Sequence, residues 1–327
     1  MTETGVLVPV GFLPPEPPAP KWSGWLRSTL TCGSPLVLVG LLAWRWPTVD
    51  AGTDAMVRAD RFWLLGALAA VLLTWVAGSA CQLGATSARL PVGRVFATQV
   101  AGSFVNHVLP AGVGVAALNL RMLRRCGLSR ARAAGAVGLN AAAGFIVHAI
   151  ALVALLLAVG SRTTRLDRTS VLAIAAGVVV VAAVIGVLAI RASRRAGPFG
   201  EWIGRTLAQT GEVLAHPGRA LLLWAGSAAV PALHILTLTA VVHALDQPAP
   251  IGTLAVAYLG ASALAAIVPS PGGFGALDVA LLAALTATGG TASAAAASVI
   301  GYRLITVWLP LLPGAATLLL LLHRRII

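Results

Sequence analysis

The sequence predicts an all-α polytopic membrane protein, with about six transmembrane helices and two broken, re-entrant hairpins arranged as an inverted repeat. Three observations carry that expectation. The 327 residues are 58% apolar and only 10% charged, with a mean hydropathy of +0.90, far outside the range of soluble domains. The apolar run over 251–288 is interrupted by Val268-Pro269-Ser270-Pro271-Gly272-Gly273-Phe274-Gly275, a block that cannot continue a helix because proline removes a donor and glycine gives up backbone order. Broken backbone at membrane depth is tolerated only where protein or a water-filled cavity satisfies it. A weaker copy lies 159 positions earlier, aligning Ser103 with Ser262, Pro110 with Pro269 and Gly114 with Gly273. Paired Gly/Pro-interrupted segments in corresponding halves point to the midplane site of an inverted-repeat transporter; two ordinary kinked helices are the alternative.

In chain order, residues 1–29 read as a proline-rich, disordered cytoplasmic tail. The single membrane domain covers 30–327, with a first repeat over about 30–160 and a second over about 170–322. The first span covers 30–46 and closes on Trp44-Arg45-Trp46-Pro47, an interfacial signature that reads as a retained anchor. The second covers 62–85. Residues 95–120 are apolar yet flanked on both sides by arginines, so they must enter and leave on one face, as a hairpin with Pro110 and Gly112 near its tip. Spans follow at 133–160, 170–190 and 220–244, with a short surface helix expected at 198–215. The second hairpin covers 251–288 and the last span 292–322.

Charge orients this scheme. Segments assigned to the cytoplasm hold 16 Lys/Arg, including Arg89, Arg94, five from Arg121 to Arg132 and five from Arg191 to Arg219, against 5 in the outer loops. That bias predicts a multi-pass protein of the cytoplasmic membrane with both termini on the cytoplasmic side. The net charge of +13 sits in short clusters between apolar spans and not on one extended face, which argues against nucleic acid as a partner. Cys32, Cys81 and Cys126 have no metal or disulfide spacing.

No H-E-x-x-H, G-x-S-x-G or phosphate-loop signature occurs, and no cofactor is implied. The informative residues are polar groups inside the spans, where a charge costs a few kcal/mol and faces a partner or cavity. Asp278 follows the strongest break and Arg303 lies in the last span beside Tyr302. The two pair with each other, or Asp278 is solvated near the outer surface. Asn106 and His107 precede the first break, with Asn119 and Arg121 after it; the asparagines either satisfy freed backbone groups or contact substrate. His148 and His234 read as structural histidines, and Gly102, Ser103, Gly260 and Ser262 as small residues for close helix packing.

At Leu109-Pro110-Ala111-Gly112-Val113-Gly114, Pro269-Ser270-Pro271-Gly272-Gly273-Phe274-Gly275 and Gly301-Tyr302-Arg303-Leu304, the chain resembles the lysylphosphatidylglycerol synthase transmembrane-domain, flippase-like family. The resemblance covers about 30–322. It implies a module that binds or translocates lipids, in the synthase itself aminoacylated phosphatidylglycerol. Asp278 stands where the family often has glutamate, and Val115, Ala116 and Ala117 where it often has an acid. The sequence ends at Ile327 without the soluble transferase domain, so a separately encoded transferase is one expected partner and membrane lipids the other. The resulting candidate substrate-binding set is Asn106, Pro110, Gly112, Gly114, Arg121, Pro269, Pro271, Gly272, Gly273, Gly275, Asp278, Tyr302 and Arg303. The competing reading is a membrane subunit, or a membrane-embedded transferase acting on a lipid-linked substrate, which needs clustered carboxylates at the membrane face, where only Asp246 and Asp278 lie near one another in sequence.

Overall fold

The computed structural model describes residues 57–108, 113–160, 210–213, 215–247, 249–267, 276–287, 291–324 and 326–327, with isolated helical positions between 169 and 204. The expected tail, the first span at 30–46, most of the span at 170–190 and of the 198–215 helix, the second break motif, and the first one except Val113 and Gly114 lie outside these residues.

Every regular element among the described residues is helical: α1 (Arg61–Gly84), α2 (Val92–Val108), α3 (Val113–Arg125), α4 (Arg130–Leu155), α5 (Pro217–Ala244), α6 (Ile251–Ile267), α7 (Ala276–Ala287), α8 (Ala292–Arg303) and α9 (Leu309–His323). One π-helical turn, Leu156–Gly160, extends α4, and another, Leu304–Trp308, joins α8 to α9. Among the described residues, four helices are long and apolar enough to cross a bilayer: Arg61–Gly84, Arg130–Ala158, Pro217–Ala244 and the continuous Ala292–His323. The remaining limbs are shorter. At about 1.5 Å per residue, the 17 residues of α2 or α6 and the 12 of α7 fall short of a hydrocarbon core of about 30 Å.

Side chains in the preceding loops start these helices. Asp60 Oδ1 accepts from the Phe62 amide at 2.7 Å, Ser129 Oγ from Arg132 at 3.3 Å and Thr291 Oγ1 from Ala294 at 3.3 Å, each satisfying an orphan donor of a first turn. α3 ends in a Schellman turn, with Gly127 at φ 88° and Leu128 N–H donating to the Leu123 carbonyl at 3.2 Å. α5 ends the same way with Asp246 at φ 52° in the glycine's place and Gln247 N–H donating to the Val242 carbonyl. Where the expected elements fall within the described residues, their boundaries hold to within a few residues, with one correction. The first hairpin extends beyond 95–120, because Arg94 and the basic face of Arg121, Arg124 and Arg125 are themselves helical.

α1 and α5 run antiparallel and touch through backbone. A methyl at Gly84 would lie 2.4 Å from Leu223 N, and one at Gly226 would lie 2.8 Å from the Ala77 carbonyl, so only glycine fits at this seam. Asp60 N–H donates to the Ala244 carbonyl at one end. At the other, the Arg219 guanidinium donates to the carbonyls of Leu83, Thr86 and Ala88, closing the end of α1.

Two cores join the halves of the chain. The first hairpin shares a core with the last helix, where Phe104, Met122 and Leu123 meet Leu311, Leu318 and Leu322. The second hairpin shares one with α4, where Leu254, Leu259, Leu281 and Leu285 meet Leu152 and Leu156.

Candidate functional site

The first hairpin is drawn together toward its break. Gln99 Nε2 donates to Asn119 Oδ1 at 3.0 Å. Nearer the break, a methyl at Gly114 would fall 2.7 Å from the Val105 carbonyl oxygen. Asn119 is thereby a structural link between α2 and α3, whereas Asn106 is not: its Oδ1 is buried with no partner among the described residues.

Asn106 lines a polar cavity of about 360 Å³ together with Gln99, His107, Tyr258, His234, Tyr302 and Arg303. Arg303 ends α8, immediately before the π-turn Leu304–Trp308 and Pro310, whose missing N–H would leave a carbonyl of a regular helix unpaired. Such π-turns are frequent at functional sites. The Arg303 Nε donates to Asp278 Oδ1, with the two side chains 8% and 28% exposed. Of the two readings the sequence left open, the structure makes the pair. Asp246 is exposed at the end of α5, and no group of three or more His, Cys, Asp or Glu that could hold a metal occurs among the described residues.

A second, larger cavity of about 1020 Å³ adjoins it, lined mainly by apolar side chains of α1, α4, α5 and α6. Its polar points are Asn140, His148, Ser227 and Ser262. Gly78, Val230 and Tyr258 line both cavities. Along α4 the lining runs from Asn140 to Leu152, about 18 Å of helix.

Asn106, Tyr302 and Arg303 are thus brought together, with Asp278 behind Arg303. Arg121 is on α3 and Gly114 in the hairpin contact, neither lining the polar cavity. Pro110, Gly112, Pro269, Pro271, Gly272, Gly273 and Gly275 lie outside the described residues. His148 Nε2 contacts the Leu259 carbonyl at 3.1 Å and Ser262 Oγ at 3.3 Å, a bridge from α4 to α6. His234 contacts the Tyr302 hydroxyl through Nδ1 at 2.9 Å and stacks on Tyr258 with ring centroids 5.6 Å apart. Gly102 packs against Val115, as expected of a small residue. Gly260 corrects that expectation, since a methyl there would meet nothing within 4 Å. Sequence reading passed over Tyr258 entirely. The available signal was that the chain has only 2 tyrosines, Tyr258 and Tyr302, and they meet here with centroids 6.2 Å apart.

Long apolar helices, paired short limbs and a buried ion pair among them define a multi-pass, all-α membrane protein. Residues 24–314 match the family described as Lysylphosphatidylglycerol synthase TM region. The chain belongs to that family. No curated protein matches it.

Proposed function

We propose that this protein binds membrane lipids and moves them across the cytoplasmic membrane, without itself being an enzyme. The head group, that of a phospholipid, an aminophospholipid or a polyprenyl-phosphate-linked lipid, occupies the polar cavity beside Arg303, and the hydrocarbon occupies the apolar one. The observation that carries this reading is the wall the two cavities share at Gly78, Val230 and Tyr258. A compartment of about 360 Å³ holding most of the polar side chains, adjoining an apolar one of about 1020 Å³, has the two-part chemistry of an amphiphile. The exchange of packing partners between hairpins and long helices of opposite halves supports an inverted repeat, the architecture in which such sites lie at the repeat interface. Both termini then face the cytoplasm, in keeping with the charge bias of the loops.

The test is reconstitution into vesicles carrying fluorescent phospholipids, with the fraction accessible to an external quencher followed in time. Gly144 lines the apolar cavity and has nothing within 4 Å of a built methyl, so Gly144→Phe fills the cavity without a first-contact clash. The wild type should exchange the labelled lipid at least tenfold faster than Gly144→Phe at matched unfolding stability. Equal rates in protein-free vesicles, wild type and variant would remove the proposal.

A further inference from the structure

The larger cavity is apolar, yet its few polar side chains are ordered. Along α4, Asn140, Gly144 and His148 follow at intervals of four and line it from one face, with the two polar groups about 12 Å apart. Each turns its donor into the wall. Asn140 Nδ2 donates to Gln82 Oε1 at 3.4 Å, and Gln82 is fully buried. His148 Nε2 donates to the Leu259 carbonyl at 3.1 Å, where Ser262 Oγ donates as well. Ser227, the remaining polar point, lies 3.6 Å from Cys81 Sγ. On α4 and α6 the donors are thus spent on protein oxygens.

His148 is the better defined of the two. A carbonyl can only accept, so the neutral ring carries its proton on Nε2 and its Nδ1 is an acceptor. Among the described residues, Nε2 makes both of the ring's hydrogen bonds. The buried polar atoms without a partner there are Gln82 Nε2, Asn106 Oδ1 and Arg124 Nε, none of them in His148. Nδ1 is therefore neither engaged nor sealed in the wall, and the ring lines the cavity. The bridge to α6 needs only Nε2, whereas an acceptor kept in apolar surroundings is costly unless something donates to it. Hydrocarbon has no donor, and the ester oxygens of a diacyl glycerolipid only accept. Position narrows the choice further. Ser262, in contact with the ring, is one helical turn along α6 from Tyr258, about 6 Å past the wall between the cavities. The backbone of a lipid falls there when its head group is beside Arg303 and its chain in the apolar cavity. Resting on the lipid-handling reading above, we propose that the site takes a phospholipid with a free backbone hydroxyl, that is a monoacyl phospholipid, whose hydroxyl donates to His148 Nδ1.

The experiment uses the full-length protein in detergent micelles, with protein-free micelles as the blank. Two probes differ by a single group: an ether-linked octadecyl lysophosphatidylcholine and its sn-2 methyl ether, which keeps the oxygen and loses the donor. Calorimetry on the wild type should show the hydroxyl lipid binding about threefold to tenfold tighter. His148→Phe keeps a ring and removes the acceptor, so the two probes should bind it alike. Ser262→Ala loosens the bridge and leaves Nδ1 in place, so the preference should persist. Equal binding of the two probes to the wild type overturns the assignment and leaves the lipid-handling reading standing. So does a preference that survives in His148→Phe, or one that is lost in Ser262→Ala. The first comparison is made on the wild type, so it decides the question even where a variant does not fold. Binding of neither probe removes both readings.

Discussion

Neutralising Asp278 should cost more than neutralising Arg303, and neutralising both should cost less than the sum. The Arg303 side chain is 8% exposed and that of Asp278 28%. Asp278→Asn keeps the shape but leaves a buried guanidinium uncompensated, a loss of about 3–5 kcal/mol. Arg303→Gln leaves the more exposed carboxylate instead, so the expected cost falls to about 1–3 kcal/mol. In the double variant two amides face each other with no net charge to bury, and the coupling should amount to at least about 2 kcal/mol. The measurement is reversible unfolding in mixed micelles for the four proteins of the cycle. Strictly additive losses, or a larger loss from Arg303→Gln than from Asp278→Asn, would show that the contact does not organise the site as described.

Two further outcomes follow from the fold. Gly114→Ala places a methyl 2.7 Å from the Val105 carbonyl and should destabilise by about 1–3 kcal/mol, while Gly260→Ala meets nothing within 4 Å and should be neutral or stabilising by up to about 1 kcal/mol; the reverse order in the same unfolding assay would contradict the hairpin contact. In a cysteine-free background, Arg89→Cys, Arg130→Cys and Arg195→Cys should react with an impermeant maleimide only from the cytoplasm, and Asp54→Cys and Asp246→Cys only from outside. Labelling of Arg94→Cys and Arg124→Cys from opposite faces would dissolve the first hairpin.

The long helices were legible because each is a run of apolar residues bounded by arginine, proline or a capping side chain, and those signals are local. The ion pair was legible for a different reason: two charges in a hydrophobic chain have few partners to choose from. Asn106, His107 and Tyr302 were marked by their places beside the first break and beside Arg303, but Tyr258 and the part His234 plays in the lining were not. Tyr258 lies in α6, an almost uniformly apolar helix with no stripe to mark an inward face, and nothing in its neighbours reveals that it separates two cavities. His234 was read as structural, and its contact with Tyr302 at 2.9 Å fits that reading; that it also lines the polar cavity follows only from how α5 and α8 pack. Gly260 misled because a small residue in an apolar helix looks the same whether it is pressed against a neighbour or faces open space.

The seam between α1 and α5 bears on how the chain is made. Residues 61–84 emerge from the ribosome about 130 residues before the segment that covers them, so α1 must wait in the bilayer with its glycine-containing face against lipid. The first hairpin likewise waits for α9, whose Gly314 would carry any methyl to within 2.7 Å of Ser103 Oγ. Neither half can bury its own seam. A first half synthesised alone should therefore be recognised by the membrane quality-control proteases as an orphan, and co-expression of the two halves as separate chains should rescue it.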